Sequence, residues 1–477
     1  MRKCFPLLTV LLLNTVLLAC SDRSDGVVSD PKVILIIGDG MDDQQITIAR
    51  NYLVGSEGRL TLDQLPYRGA ALVQTVAEDD PSRPVYVADS ANTATSMATG
   101  RLTSSGRIAT TAETDEDIVT IMELAHSAGL GTGIVTTSSL TDATPASFVA
   151  HVNDRWCQNP DSMEAIFGPL RISIDCSQEY KANGGRGSIV EQLAASDVDI
   201  LLGGGSEHFE KLSENSQMTV LDVAVANGYS VVLNREELAK AHVGGKVLGL
   251  FAPNTMPVRL RGEDDAEARP IESVDGQVQL PEPFICEANP DFSNTLTLAE
   301  MTRAALAHLD NTAGFMLMVE SASIDKQSHL RRPCGHIGEL DQLDEALLVS
   351  LEYAAEHPET LIVVTADHSH AAQIVYDKGR WLPLNYASPG HFARVRTPEG
   401  SIMGINYATN SSPISEYHTG AQIPVFASGP GIDDMPTLID QKDIFSITAH
   451  HLRLDVEGLG RVVDKSWRRY PLTNYSF

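Results

Sequence analysis

Short, continuous apolar runs alternate along the chain with longer stretches that mix apolar and polar residues. Continuous apolar runs are typical of strands covered on both faces, and the mixed stretches predict helices packed against them. This alternation predicts an α/β fold, a three-layer αβα sandwich with a mostly parallel central sheet. The predicted strands are residues 33–37, 133–137, 200–202, 315–319, 361–365 and 423–427, and the predicted helices are residues 118–127, 188–195, 296–309 and 338–356.

Acidic residues follow three of the predicted strands. Asp39, Glu320 and Asp367 each come within two residues of a strand end, and His368 follows Asp367 directly. In a parallel sheet the carboxyl ends of the strands meet along one edge, where ligands bind. A single acid at such a place is usually a helix cap or a turn former, but three such endings with histidines nearby favour a metal site.

The segment 318–329 carries several metal-capable side chains behind an apolar run. If it turns helical after the strand, Asp325 and His329 lie four residues apart on one helix face, as two ligands of one cation must. Glu320 then lies at the strand end, within reach of a second cation. The alternative is a solvated helix with an ordinary Asp–His surface pair, which this segment alone does not exclude.

Length and charge limit the class of protein. The chain has 477 residues, 43% of them hydrophobic, which predicts one large elaborated domain. Its formal net charge of -28 repels nucleic acid and anionic membrane surfaces, so we expect no nucleic-acid partner. Phosphate-like substrates are repelled as well, so an enzyme acting on them needs a strong local positive charge, and bound metal is the obvious source.

The N-terminus has the features of a targeting signal. Residues 1–19 combine a basic start with an apolar stretch and end in Leu-Leu-Ala before Cys20, which resembles the lipobox of bacterial lipoproteins. We therefore expect an exported lipoprotein of the periplasm or cell surface, anchored at a lipidated Cys20. Residues 1–19 would be the signal peptide, 20–31 a flexible tether and 32–477 the folded domain. Ordinary cleavage that leaves Cys20 as a free thiol is the alternative.

Four further cysteines make an even number in an exported chain, which favours two disulfides over a metal cluster. Three pairings exist in principle. Spacing favours Cys157 with Cys176 as a local loop, which leaves Cys286 with Cys334.

Three residues outside the strand ends are candidates for phosphate chemistry. Ser90 opens a stretch of small residues whose helix N-terminus would favour an anion, although a capping serine would look the same. Thr144 before Pro145 is typical of a helix start, and one helix would then carry Arg155 about three turns further on. A guanidinium that binds two phosphate oxygens suits a monoester site.

Together these motifs resemble the alkaline phosphatase family, specifically its bacterial periplasmic type, and they occur in the family's order from about residue 33 to 430. The matching motifs are Ile37-Gly-Asp-Gly-Met41, Asp89-Ser-Ala91, Asp142-Ala-Thr-Pro-Ala146, His151-Val-Asn-Asp-Arg155, Val319-Glu-Ser-Ala-Ser-Ile-Asp-Lys-Gln327 with His329, Thr365-Ala-Asp-His-Ser-His370 and His418-Thr-Gly420.

The resemblance implies a phosphate monoester hydrolase with two zinc ions and one magnesium ion, acting as a homodimer. Ser90 would become phosphoserine, Arg155 would bind the phosphoryl oxygens, and Lys326 would reach the phosphate through water. His370 would support the site from outside the ligand set. The implied metal ligands are Asp325, His329 and His418 for one zinc, Asp39, Asp367 and His368 for the other, and Asp39, Thr144 and Glu320 for magnesium, with Asp142 acting through water.

The sequence departs from the family at Asp42, Ser321 and Ser328, none of which is an implied ligand. We expect the extra hydroxyl of Ser321 to disturb the hydration of the magnesium site. The competing functions are a phosphodiesterase of the same superfamily and a lipoprotein that binds metal or phosphate without turnover. A sulfatase is disfavoured because no Cys/Ser-x-Pro-x-Arg segment is present.

Overall fold

A ten-stranded sheet forms the centre of the computed structural model, which describes residues 30–167, 172–241, 244–274, 277–377, 390–410, 412 and 414–456. All six predicted strands belong to it. Across the sheet the strands are Leu438–Asp440, Tyr67–Leu72, Ile423–Ser428, Thr360–Ala366, Lys32–Gly38, Phe315–Ser321, Gly131–Ser139, Ile200–Gly204, Lys246–Leu250 and Tyr229–Val232.

The sheet is mostly parallel, as the sequence predicts, with one reversal. Strand Lys32–Gly38 pairs in parallel with Phe315–Ser321 on one side and with Thr360–Ala366 on the other. Strand Ile423–Ser428, predicted as a parallel strand, instead runs antiparallel to both of its neighbours. The prediction of its direction was wrong because an apolar run indicates burial but not the direction in which the chain crosses the sheet.

Helices cover the sheet, and every residue of strand Lys32–Gly38 is buried although successive side chains point to opposite faces. The described α-helices are Asp43–Leu53, Ser90–Thr99, Ile121–Ser127, Ala143–Ala146, Ile189–Ala195, Ser206–Phe209, Val220–Ala226, Arg235–Leu238, Leu298–Leu309, Ser323–His329, Pro333–Glu356 and Asp443–His451. The described 3-10 turns are Leu62–Gln64, Pro160–Ser162, Ser177–Glu179, Lys181–Asn183, Glu263–Asp265, Pro290–Phe292 and Ile432–Asp434.

Local residues at the helix ends set the starts that the apolar pattern alone misplaces. Helix Leu298–Leu309 begins after Thr297, whose hydroxyl accepts from Glu300 N while the Glu300 carboxylate accepts from Thr297 N. Helix Pro333–Glu356 begins earlier than predicted, with proline in its first turn, where no amide donor is needed.

Smaller sheets lie outside the central one. Strands Arg269–Pro270, His391–Arg396, Ile402–Tyr407 and Gln373–Val375 form a four-stranded sheet in that order. Two-stranded pairs are formed by Leu260–Gly262 with Cys286–Ala288, Glu272–Val274 with Gln277–Gln279, Thr75–Val76 with Pro84–Val85, and Glu164–Phe167 with Ile172–Asp175.

Two disulfides confirm the favoured pairing. Cys157 bonds Cys176, and Cys286 bonds Cys334, with Cα atoms 6.4 and 5.3 Å apart. The second bridge ties the first turn of helix Pro333–Glu356 to the edge of a small sheet.

The predicted signal peptide, Cys20 and most of the predicted tether lie outside the described residues. Within the described part, none of the helices combines the length and apolar character needed to cross a membrane.

Candidate metal and phosphate site

The register of the central strands brings the acidic strand ends together. Asp39 N donates to Ser321 O at 3.1 Å, and Gly40 N donates to Asp367 Oδ1 at 2.9 Å, so the carboxyl ends of three strands meet at one place. Gly40 has φ +68, and a Cβ there would lie 3.2 Å from the Asp325 backbone. Glycine is needed because the chain must turn tightly and closely approach the next acidic segment.

Asp325 is the centre of a histidine cluster. Its Oδ1 lies 3.3 Å from His329 Nε2, 3.3 Å from His418 Nε2 and 3.1 Å from His370 Nε2. The Nε2 atoms of His329 and His418 are 3.1 Å apart. Burial alone would raise the pKa of Asp325, but the surrounding histidines hold that pKa well below its usual range.

The cluster has the spacing of a cation site. Nitrogens bound at 2.0–2.1 Å to a tetrahedral zinc ion lie about 3.3 Å apart, close to the separation of the His329 and His418 nitrogens. His370 comes as near to Asp325 as the implied ligands do, which the sequence did not indicate. Its position two residues after His368, behind a strand end, was the available signal.

A second cluster surrounds His368. Its Nε2 lies 3.5 Å from Asp39 Oδ1 and 3.3 Å from Asp367 Oδ2, and Asp325 also lies within reach. These two carboxylate oxygens are buried and accept no hydrogen bond from the described residues. Burial raises the pKa of Asp39 well above its usual value and that of Asp367 to about 6, while burial lowers the pKa of His368. Buried carboxylate oxygens without donors, beside a neutral imidazole, suit a divalent cation.

Glu320 belongs to neither cluster. Glu320 Oε2 accepts hydrogen bonds from Thr136 and, at 3.3 Å, from Ser138 Oγ, and burial together with the charge of Asp142 raises its pKa to about 7. Thr144 Oγ1 is buried beside the Glu320 carboxylate. Two such oxygens suit a hard cation such as magnesium.

The expected helix start at Thr144 was wrong. Asp142 is the N-cap, because its side chain accepts from Ala143 N, and Thr144 lies inside helix Ala143–Ala146. Arg155 is not on that helix either. The helix ends at Ala146, and the chain then turns so that Arg155 N donates to Gly106 O at 2.7 Å.

Ser90 is the first residue of helix Ser90–Thr99, and Asp89 is its N-cap. The side chain of Ser90 is buried, and its Oγ lies 3.1 Å from His368 Nε2. Ser90 is therefore not the cap, which was the alternative reading of this position. The helix N-terminus adds a partial positive charge beside the hydroxyl.

Two cationic side chains meet at Asp142. Arg155 Nη2 donates to Asp142 Oδ1 at 3.1 Å, and Lys326 Nζ donates to Asp142 Oδ2. Burial alone would raise the pKa of Asp142, but Lys326 and Arg155 hold that pKa well below its usual range. Arg155 Nη1 also lies 3.4 Å from Asp89 Oδ2, a partner that the sequence did not indicate. Both cations line one cleft with Ser90.

Comparison with known proteins agrees with this geometry. A family model described as "Alkaline phosphatase" matches residues 31–454. The chain is 42% identical over 429 residues to a Streptomycin-6-phosphate phosphatase of Streptomyces griseus, covering 87% of this chain and 89% of that protein. It is 39% identical over 422 residues to an Alkaline phosphatase of Escherichia coli K12, covering 87% and 84%. The chain belongs to the alkaline phosphatase family.

A solved alkaline phosphatase shares the fold. The enzyme from the Antarctic bacterium TAB5 superimposes with a TM-score of 0.63 at 23% identity, covering 89% of this chain and 99% of that one. The chain is thus a metal-dependent alkaline phosphatase, an enzyme that hydrolyses phosphate monoesters. Its two disulfides agree with export.

The residues that depart from the alkaline phosphatase pattern have structural partners. Asp42 is the N-cap of helix Asp43–Leu53, and its Oδ2 lies 3.4 Å from His370 N. Ser321 Oγ donates to Glu339 O at 2.9 Å, which turns this hydroxyl toward helix Pro333–Glu356 and argues against the expected effect on magnesium. Ser328 Oγ donates to Ile324 O at 2.8 Å within its own helix.

The cleft of this alkaline phosphatase has a volume of about 750 Å³ and extends beyond Ser90, Arg155 and Lys326. Trp156 and Tyr417 line it and are 46% and 50% exposed. Trp156 directly follows Arg155, and Tyr417 directly precedes His418.

Proposed function

We propose that this alkaline phosphatase acts through a phosphoserine formed on Ser90, with two zinc ions and one magnesium ion. The observation that carries the proposal is the place of Ser90 Oγ, buried at a helix N-terminus and 3.1 Å from His368 Nε2. A free serine hydroxyl is a weak nucleophile, and a position among cation-binding groups is one way to activate it.

The donor atoms support the ligand sets implied by the family. One zinc position takes the clustered side chains Asp325, His329 and His418, and the other takes Asp39, Asp367 and His368. The magnesium position takes Asp39, Glu320 and Thr144, with Asp142 acting through water. The supporting observation is that Asp39 Oδ1 and Asp367 Oδ2 are buried and accept no hydrogen bond from the described residues. We assign His370 the role of orienting Asp325, from which its Nε2 lies 3.1 Å.

The bound cations would lower the pKa of the attacking oxygen and neutralise charge on the leaving oxygen. Arg155 presents a planar guanidinium to two phosphoryl oxygens, and Asp89 and Asp142 hold it in place. Lys326 adds positive charge through water. Ser90 Oγ forms a bond to phosphorus as the bond to the leaving alcohol breaks, and that alcohol takes up a proton. A water oxygen then replaces Ser90 Oγ on phosphorus, which releases phosphate and returns the proton to the serine.

The test is Ser90→Ala, compared with Ser96→Ala as a control. Ser96 is buried in the same helix, but its hydroxyl donates to Asn92 O rather than facing the histidines. We expect Ser90→Ala to lose hydrolysis of a chromogenic phosphate monoester while keeping its zinc content, and Ser96→Ala to stay active. Acid-quenched wild-type enzyme should carry one phosphoryl group on Ser90. Substantial turnover by Ser90→Ala would contradict the proposal.

The size of the cleft supports substrates with a large organic group. Ligand pockets of about 300–1,000 Å³ hold drug-sized molecules, so a phosphate group alone fills only a small part of this cleft. The Streptomyces griseus relative is named for a phosphate ester of that kind. We expect a lower KM for streptomycin-6-phosphate than for glycerol phosphate. Equal KM values would contradict a role of the outer cleft in substrate binding.

Attachment and assembly complete the proposal. Residues 1–19 would be removed, and Cys20 would carry lipid at the membrane surface. Residues 20–31 would be the tether and 32–477 the enzyme domain. Two chains would form a homodimer. The support is the Leu-Leu-Ala-Cys20 ending and the family resemblance. The full chain should partition into the detergent phase, and Cys20→Ser should lose that partition. Sedimentation equilibrium of the wild type should give twice the mass of one chain. Aqueous partition of the wild type, or a monomer mass, would overturn the respective part.

A further inference from the structure

A buried ion pair joins two segments that carry proposed zinc ligands. Arg331 follows helix Ser323–His329, and Glu416 precedes His418 by two residues. Arg331 Nε donates to Glu416 Oε2 at 2.8 Å, and the two side chains are only 7% and 0% exposed. Neither residue belongs to the proposed ligand sets, and the phosphate chemistry does not use them.

Both side chains of the pair make further hydrogen bonds to residues that precede Glu416 in the chain. Glu416 Oε1 accepts from both the backbone amide and the hydroxyl of Thr409, each at 2.9 Å. Arg331 Nη2 donates to Ser412 O at 2.6 Å. The two charged side chains therefore hold Thr409, Ser412 and Glu416 against the end of the helix.

The backbone of Glu416 contacts His329 directly. Glu416 N donates to His329 O at 3.0 Å, and His329 Nδ1 donates to Glu416 O. The second bond places the proton on Nδ1 and leaves His329 Nε2 as a metal donor, 3.1 Å from His418 Nε2. A shift of the Glu416 backbone would rotate the His329 ring, because that ring donates to Glu416 O. It would also displace His418, which follows two residues later in the chain.

Arg331 also has a backbone conformation that requires support. Its φ of +59 lies in the left-handed region, which arginine rarely adopts. Its amide donates to Ser328 O, and its carbonyl accepts from Ala268 N, each at 3.0 Å. A strained residue persists where surrounding contacts fix it, and such residues often occur beside functional sites.

We propose that the Arg331–Glu416 ion pair is a positioning device for the zinc site of Asp325, His329 and His418. It fixes His329 relative to His418, so that zinc retention at this position depends on a charge pair outside the ligand set. The inference rests on the proposed function for the identity of the metal. Loss of the pair should weaken one zinc position and spare the one at His368.

The test compares Arg331→Met with Arg332→Met in the full chain. Arg332 is the adjacent arginine, but it is 51% exposed and pairs with Glu267 at the surface. Zinc retention is measured against a graded chelator. We expect one zinc equivalent of Arg331→Met to bind about ten- to a hundred-fold more weakly, in the range seen when partners of metal ligands are removed. Arg332→Met should match the wild type, and equal retention in both variants would overturn the proposal.

A second variant separates positioning from folding stability. Replacing both partners of a buried pair by apolar residues often restores stability. We expect Arg331→Met with Glu416→Leu to recover thermal stability of the metal-free protein but not zinc affinity, because the bonds to Thr409 and Ser412 stay lost. Recovery of zinc affinity in step with stability would show a merely structural role and overturn the proposal. The double variant also serves if Arg331→Met alone fails to fold.

The outcome is separable from that of the proposed function. At saturating zinc, Arg331→Met should regain wild-type kcat and phosphoryl labelling of Ser90. A wild-type enzyme that is never labelled would instead contradict the phosphoserine, whatever its zinc affinity.

Discussion

Glu339 gives the sharpest prediction of pH-dependent stability. It is fully buried in helix Pro333–Glu356, and burial raises its pKa to about 7. Oε1 accepts from Gln342 Nε2 at 2.7 Å, and Oε2 accepts from Thr137 Oγ1 at 3.3 Å. Gln342 is itself oriented by Leu298 N, which donates to its Oε1 at 3.2 Å. A glutamine at this position has the shape of protonated glutamate, and its amide group can donate to Thr137 Oγ1.

The sign of the effect follows from the raised pKa. The folded protein binds this proton more tightly than the unfolded chain, where the pKa is 4.5. The stability from protonated Glu339 is therefore fully present below about pH 4.5 and is lost as pH rises through about 7. A shift from 4.5 to about 7 corresponds to roughly 3 kcal/mol in the free energy of unfolding.

We expect Glu339→Gln to leave the free energy of unfolding near that of the wild type at about pH 4.5 and to raise it by up to roughly 3 kcal/mol at about pH 8.5. Glu345→Gln is the control, because Glu345 is 45% exposed and pairs with Arg259; its effect should stay within about 1 kcal/mol at both pH values. Urea unfolding with a chelator present measures both variants without metal effects. A gain of equal size at the two pH values, or no gain at about pH 8.5, would refute the reasoning.

Three further predictions concern the active site. Arg155→Lys keeps the charge but loses the planar guanidinium, so kcat/KM for a phosphate monoester should fall about 10- to 100-fold with zinc content unchanged. A loss below threefold would exclude bidentate binding of the phosphate by Arg155. Chelation should abolish turnover, and zinc with magnesium should restore more activity than zinc alone; full turnover of the chelated enzyme would contradict metal dependence. Trp156→Ala should raise the KM for naphthyl phosphate about three- to tenfold and leave the KM for glycerol phosphate within twofold, because an aryl group is able to stack on an indole and glycerol is not. An equal rise in both KM values would show a general disturbance.

The sequence located the strands and the residues at their ends. Apolar runs mark buried strands because both faces of the central sheet are covered, and the acids behind them follow from chain order alone. Asp325 and His329 were predicted on one helix face from local spacing alone, because residues four apart lie on the same side of a helix. The favoured disulfide Cys157–Cys176 depended on short spacing in the same way.

Contacts between distant segments were decided only by the tertiary structure. The reversed direction of Ile423–Ser428, the turn that brings Arg155 to Asp89, and the approach of His370 to Asp325 involve residues far apart in the chain. The Arg331–Glu416 pair likewise joins residues 85 positions apart. Local periodicity reports which side chains are buried, but the partner of a buried charge depends on how the whole chain packs. The sequence by itself therefore determined which chemistry the site contains, and packing decided which side chains hold it in place.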